Sequence, residues 1–266
     1  KEISEAGGIA PLLSLLNGLD VDVQVQAAAA LREMARDNTD TQHAIAKAGG
    51  IGPLLAMLGS RVAAAQSNGM AALAQLARNH PENQDAIARQ GGLKPLVHLL
   101  ESSDDEADVL SCAACAIMEI TSRNFQNQKQ VVELGGVGQL ANILKTSGHM
   151  KVKAEVAGAL WALAEDPEIK ISIASASTVP SLVDLLGSQD ERAQLHAAAA
   201  LASLGLNNET NQVQITQMLI ELLSQGSEAA QGRAARALFE LRSENPDAHE
   251  TIAKAGKSGM AFIRFL

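Results

Sequence analysis

Ala48-Gly49-Gly50-Ile51-Gly52-Pro53-Leu54-Leu55 decides how this chain is read, because the same wording returns at a fixed interval. It recurs as Ala6-Gly7-Gly8-Ile9-Ala10-Pro11-Leu12-Leu13, as Gln90-Gly91-Gly92-Leu93-Lys94-Pro95-Leu96-Val97 and, without the proline, as Leu134-Gly135-Gly136-Val137-Gly138-Gln139-Leu140. The first glycines stand 42, 42 and 44 residues apart. A degenerate copy, Ser177-Thr178-Val179-Pro180-Ser181-Leu182, follows a further 42 residues on with both glycines replaced. A glycine can take the left-handed conformation that ends one helix, and a proline just beyond is preset for the first turn of the next. Each copy therefore predicts a sharp corner between two helices, the second of which carries an apolar stripe such as Leu54, Leu55 and Leu58. A period of this length excludes a single ordinary globular core and predicts stacked helical repeats.

Composition agrees. The chain is 47% apolar but only 2% aromatic, with no tyrosine, so alanine and leucine do the packing. Ala, Leu, Gln and Glu fill the segments between glycines and favour helix over strand. A net charge of −9 without a cluster of Lys and Arg argues against nucleic acid as the main partner and leaves a basic protein segment as a fit. Cys112 and Cys115 lie in an alanine-rich helix, which suits a reducing compartment. No apolar run reaches the roughly 20 residues of a membrane span. The opening without methionine and the stop at Phe262-Ile263-Arg264-Phe265-Leu266 read as an excerpt of a longer protein with apolar, self-associating ends.

Each unit reads as a short helix, the corner, a medium helix and a long helix: in the second, Thr41 to Ala48, Pro53 to Leu58 and Val62 to Ala77. The boundaries are approximately 1–36, 37–79, 80–123, 124–166, 167–206 and 207–244, with a partial seventh unit at 245–266. Three helices per unit, the Gly-Gly-(Ile/Val)-x-Pro corner and endings such as Ala72-Leu73-Ala74-Gln75-Leu76-Ala77 resemble the armadillo repeat family over essentially the whole chain. The resemblance implies an all-α, right-handed superhelical solenoid of about six repeats forming one domain. It further implies a non-enzymatic scaffold or adaptor in the cytoplasm, with nuclear or membrane-peripheral placement left open, that binds a partner segment along a concave groove.

Three departures stand out. Repeat three holds two extra residues within Glu101-Ser102-Ser103-Asp104-Asp105-Glu106-Ala107-Asp108. Its acids Asp104, Asp105 and Glu106 either cap the following helix or form an edge for a basic partner. Met118, Trp161 and Phe239 share one register position and are expected to pack between neighbouring repeats, with a role as groove anchors as the alternative. In repeat six the leucine run at Leu219 comes 37 residues after its counterpart at Leu182, which predicts a shortened first helix and corner. A weak stacking point is expected there, with fast hydrogen exchange over residues 206–218.

Catalytic chemistry finds no pattern. The six histidines are scattered, no nucleophile elbow, phosphate loop or HExxH occurs, and Cys112-x-x-Cys115 lacks further zinc ligands. No cofactor or metal is expected. Helical spacing instead traces one face of the long helices. It holds Gln26, Glu33 and Arg36; Asn68, Gln75 and Arg78; Cys112, Cys115 and Glu119; Glu155, Ala162 and Glu165; His196 and Ser203; and Arg233, Arg236 and Glu240. The resemblance implies an asparagine ladder at Glu33, Gln75, Glu119, Ala162, Ser203 and Glu240, and, in the family's nuclear-import adaptors, tryptophans one turn earlier. Both ladders are replaced here, which argues against a generic nuclear-localisation-signal receptor. The expected groove is floored by small residues, edged by Glu33, Glu119, Glu155 and Glu165, and basic at Arg233 and Arg236. It would take an extended peptide or a helix with a basic segment. Alternatives are the substrate-binding arm of a U-box-type ubiquitin ligase and a lipid-anchored armadillo adaptor.

Overall fold

The computed structural model describes residues 7–244, and among them there are sixteen α-helices and no strand. In chain order they are α1 (Ile9–Leu16) and α2 (Val21–Ala35); α3 (Thr39–Lys47), α4 (Ile51–Met57) and α5 (Ala63–Ala77); and α6 (Pro81–Arg89), α7 (Leu93–Leu99) and α8 (Ala107–Thr121). Then come α9 (Phe125–Glu133), α10 (Gly136–Thr146) and α11 (Met150–Leu163); α12 (Pro167–Ser175), α13 (Val179–Leu186) and α14 (Glu191–Gly205); and α15 (Glu209–Gln225) and α16 (Glu228–Glu244). The short, medium and long helices fall where the glycine corners place them. The seventh unit and its apolar residues Phe262, Ile263, Phe265 and Leu266 lie outside the described residues.

The corner works by two different devices. Gly7, Gly49, Gly91 and Gly135 have φ of +81°, +85°, +78° and +81°, the left-handed turn that stops the short helix. The second glycine is required by space: a Cβ on Gly50 would stand 2.7 Å from Ile45 Cγ2 and 2.9 Å from the Ile45 carbonyl oxygen. The degenerate corner reaches the same path without glycine. Ser177 takes φ +57°, and the Thr178 hydroxyl donates to the Ile173 carbonyl at 2.9 Å.

Where a long helix hands over to the next short one, a single left-handed residue (Asp37, Asn79, Arg123 or Asn207) precedes a capping side chain. Asn38, Asn124 and Asn208 accept from the amides of Thr41, Asn127 and Asn211 at 3.0, 3.2 and 3.0 Å. His80 Nδ1 does the same for Asn83 at 3.3 Å, and Asp166 accepts from Glu168 and Ile169. Each cap satisfies an N–H that the helix itself leaves without a partner.

The chain divides into two compact units, Lys1–Leu140 and Ala141–Leu266. In the first, α2, α5 and α8 lie side by side, with α1, α4 and α7 packed against them. Leu31, Ile45, Leu54, Leu73, Ile87, Leu96 and Ile117 are fully buried there. In the second, α14 packs against α11, α13 and α16 around Val156, Leu160, Leu182, Leu204 and Leu219. Each such side chain contributes about 1.5–3 kcal/mol on leaving water.

Repeat three absorbs its extra residues as a 3-10 turn, Asp104–Glu106, with Ser103 Oγ accepting from the Asp105 amide at 3.4 Å. Repeat six departs from expectation. Its first helix and corner are not merely shortened: the missing residues are the corner itself, and α15 runs unbroken for 17 residues. Asn211, Gln212, Ile215, Thr216 and Leu219 are buried along it, so the region expected to be a loose joint is a rod packed against α13, α14 and α16.

Candidate partner-binding face

Spacing of three and four residues gives each long helix one face away from its core. In the first unit the repeat period aligns these faces in rows: Gln26, Asn68 and Cys112; Ala29, Ala71 and Cys115; Glu33, Gln75 and Glu119; Arg36, Arg78 and Ser122. All but Glu119 are exposed or half-buried, whereas the other flank of α2 buries Ala27, Ala28, Leu31, Met34 and Ala35. Alanines and the two half-buried cysteines, which form no disulfide, floor the rows. Gln75 Oε1 is covered and has no hydrogen-bond partner, while the residue as a whole is half-buried in the middle row.

The acids are arranged differently from the expected rim. Glu119 is 9% exposed and takes Arg78, one repeat earlier, through Nε at 2.9 Å and a terminal nitrogen at 2.7 Å. Burial pulls the Arg78 guanidinium down, but Glu119 outweighs it and leaves the group above its ordinary value. Glu33 holds Arg36 at 2.9 Å and Arg32 at 3.0 Å in a more exposed cluster. These carboxylates are neutralised from within rather than presented to a partner.

In the second unit the pairing recurs between α11 and α14, where Glu155, 4% exposed, meets Arg192 at 2.9 Å. Glu155 and Ala162 are floor positions, both buried, while Glu165 is exposed and Ser203 half-buried. His196 is 7% exposed, and its Nδ1 donates to the Ala154 carbonyl at 2.7 Å, which assigns the ring proton to that nitrogen. Arg233 does not supply a basic lining. Its Nε donates to the Leu186 carbonyl and a terminal nitrogen to Ser188 at 3.3 Å, tying down the end of α13. Arg236 pairs with Glu240 at 2.8 Å on the surface, and Asp104, Asp105 and Glu106 are exposed.

Packing between repeats holds for Met118, which is buried, but not for the two aromatic residues at its register: Trp161 is 42% and Phe239 56% exposed. Gly158 and Ala162 on the same helix are buried while the indole is not. The indole lies tilted by 33° toward His196, with ring centroids 6.3 Å apart.

A second set of polar residues carries structure rather than binding. Gln84 Nε2 donates to the carbonyls of Glu119 and Ser122 at 2.9 and 3.2 Å, and Gln42, Gln128 and Gln212 donate likewise to Gln75, Thr121 and Gly205. Asn83, Asn127 and Asn211 beside them bond Leu76, Ile120 and Leu204. The signal that finds them in sequence is Asn-Gln recurring at 83–84, 127–128 and 211–212. Repeat five substitutes Lys170, whose ammonium donates to the Leu206 carbonyl at 3.0 Å. Burial pushes its pKa down, with Asp166 and Glu165 pulling part of the way back. Among the described residues no group of three or more His, Cys, Asp and Glu is placed to hold a metal ion, and no single helix is long and apolar enough to cross a membrane.

A sequence-family profile described as Armadillo-like matches residues 89–262. The chain belongs to the armadillo-like family. A second profile, the SIL1/FES1/HPBP1 C-terminal domain, matches residues 1–121. An engineered protein of known structure is 34% identical, with a TM-score of 0.77 over 90% of this chain and 98% of its own. A designed armadillo repeat protein is 25% identical, with a TM-score of 0.73 over 87% and 98%. Among curated proteins, the outer dynein arm-docking complex subunit 2 of Bos taurus is 30% identical over 105 residues, which are 40% of this chain and 10% of that protein. The all-α solenoid expected from the glycine corners is therefore shared by armadillo repeat structures. Such armadillo scaffolds typically bind proteins and are generally not enzymes.

Proposed function

We propose that this armadillo domain is a non-enzymatic adaptor that holds a segment of a partner protein along the rows of its long helices, in a cytoplasm where both thiols stay reduced. The observation that carries this reading is the alignment of solvent-facing positions across α2, α5 and α8 over a small-residue floor, with the half-buried Gln75 side chain at its centre. An extended segment lying across such rows satisfies its backbone by side-chain amides and places alternate side chains toward the floor. Because the buried acids already hold arginines, affinity comes from shape and hydrogen bonding more than from bulk attraction to a basic chain.

Photo-crosslinking tests this. With benzoylphenylalanine at Ala71, irradiation in cells should trap a discrete partner, while the same group at Lys47 on a short helix or Lys94 on a medium helix should not. With the trapped partner in hand, Gln75→Ala should weaken binding about tenfold by calorimetry, the value of one buried hydrogen bond. Crosslinks from the short helices alone would place the interface elsewhere.

A further inference from the structure

Where a long helix hands over to the next, the cap is Asn38, Asn124 or Asn208, with Asp166 in repeat five; at α6 it is a histidine. The His80 ring is 7% exposed, and its Nδ1 accepts from the Asn83 amide, which also reaches the His80 carbonyl at 3.1 Å. In that role Nδ1 keeps its lone pair, so the neutral ring carries its proton on Nε2. A proton added to Nδ1 turns the acceptor into a donor set against the Asn83 N–H, and the cap is lost. An asparagine cap has no such state. Imidazole is the side chain whose ordinary charge change falls between about pH 5 and 8.

The ring does not stand alone. His43 on α3, one repeat earlier, stacks on it with ring centroids 6.0 Å apart and planes 11° from parallel, and the Nδ1 of His43 lies 3.7 Å from Glu82 Oε2. At the next joint the same two positions are Asp85 and Asn124, joined by a hydrogen bond of 2.8 Å. A pair whose charge is constant near neutral pH is thus exchanged for two rings that become cations on acidification. His43, His80, Asp40 and Glu82 line one surface cavity of about 530 Å³, through which protons reach both rings. The other charges around His80 are Asp85 on its own helix and Arg78 two residues earlier, which Glu119 of α8 holds at 2.7 Å and Asp37 also attracts; α9 brings the uncharged Asn124. A protonated His43 is answered by Glu82. A protonated His80 meets that cation across the stack and the Asn83 N–H at its edge.

The turn that His80 caps holds two long helices. Asn83 Nδ2 donates to the Leu76 carbonyl at 2.8 Å, at the end of α5, and Gln84 Nε2 donates to the carbonyls of Glu119 and Ser122, at the end of α8. We infer that the joint between repeats two and three is a pH-sensitive lock: protonation of His80, and of the His43 ring stacked on it, uncaps α6 and loosens the Asn83-Gln84 turn that ties α5 to α8. The sign follows from the cap. The unfolded chain takes up a proton at His80 near about pH 6.5, and the capped fold excludes it, so the lock is closed at neutral pH and opens as pH falls through that range. The inference does not depend on the groove reading, and it touches the rows only at Glu119 and Ser122.

Hydrogen exchange of the full chain, corrected for the pH dependence of the chemical exchange rate, reads the lock. From about pH 7.5 to about pH 5.5 the protection of α6 should fall about tenfold, while that of α15, capped by Asn208, should change by less than about twofold. His80→Asn installs the cap of the other repeats and should keep the protection at neutral pH within about threefold while abolishing the fall. His43→Gln keeps the cap, removes the second cation, and should reduce the fall to about threefold. In the unsubstituted protein, nitrogen-15 NMR of the imidazoles at neutral pH should show His80 as the Nε2–H tautomer. An Nδ1–H tautomer, the absence of a fall in the unsubstituted protein, or a fall that persists in His80→Asn overturns the inference. A fall of equal size in α15 overturns it too, since acid would then act on the whole fold, and a fall unchanged in His43→Gln overturns the part given to that ring.

Discussion

The two compact units build one repeat from different parts. In the first, the corners at Gly49, Gly91 and Gly135 are made by subtraction: a glycine with positive φ, then a second glycine because Ile45, Ile87 or Val131 fills the space a Cβ would need. In the second, the corner at Ser177-Thr178 is made by addition, since a threonine hydroxyl bonds the Ile173 carbonyl, the counterpart of the Ile45 carbonyl that lies against Gly50. The floor charges differ in the same sense. Arg78 and Glu119 are both largely covered, whereas Glu155 is buried under an Arg192 that is 52% exposed. The position tolerates either no side chain or one that answers the carbonyl, and glycine is only the commoner solution.

The comparison can be broken most forcefully at the charges. Glu155→Lys sets an ammonium against Arg192 at a site 4% exposed and should cost about 3–5 kcal/mol in urea unfolding, while Glu33→Lys on the exposed face of the first unit should stay within about 0.5 kcal/mol. Equal losses would mean that burial at Glu155 is not what matters. At the corners, Gly50→Ala should destabilise by about 1–3 kcal/mol, because Ile45 must move to admit the methyl group. Thr178→Val keeps the shape and removes the hydroxyl, for a loss of about 1–2 kcal/mol; an unchanged midpoint would show that the hydrogen bond contributes nothing.

Lys170 supplies a gain instead. Restoring the residue of the other repeats, Lys170→Gln, keeps a donor for the Leu206 carbonyl and removes a buried charge, and should stabilise by about 1 kcal/mol at pH 7. The sign follows from the lowered pKa. Between its folded and ordinary values the unfolded chain holds a proton that the folded one has lost, so the unsubstituted protein gains stability as pH rises through that window. The advantage of glutamine should therefore shrink toward alkaline pH, and a pH-independent difference would assign it to packing. Smallest of all, Ser177→Gly relieves a non-glycine residue at φ +57° and should raise stability by about 0.5 kcal/mol, where Gly49→Ala at φ +85° should lower it.

The period, the corners and the long helices were legible because each is local: a glycine pair, a proline and an apolar stripe lie within a few residues of one another. Val62 to Ala77, read from spacing, is the helix observed at Ala63–Ala77 to within one residue. The face of each long helix was legible for the same reason. Its chemistry was not, since Arg78 finds Glu119 across 41 residues and Arg192 finds Glu155 from the following repeat. Charges one repeat apart look, in a linear chain, like unrelated charges on a solvated face. Trp161 was misjudged because a lone large side chain in a small-residue helix is equally compatible with packing inward, and only the structure shows the indole on the surface. The fused α15 was half legible: the shorter interval showed that residues were lost, but not that their loss lets two helices become one.

That fused helix changes how the repeat yields to a load. In the glycine-cornered repeats, the short and medium helices can swing about a few backbone torsions that cost little to turn. In α15 the same swing must open helical hydrogen bonds, at about 1 kcal/mol each, over a rod of 17 residues. Repeat six is stiff where the glycine-cornered repeats are hinged, and a load placed on it is answered by α15 as a single lever.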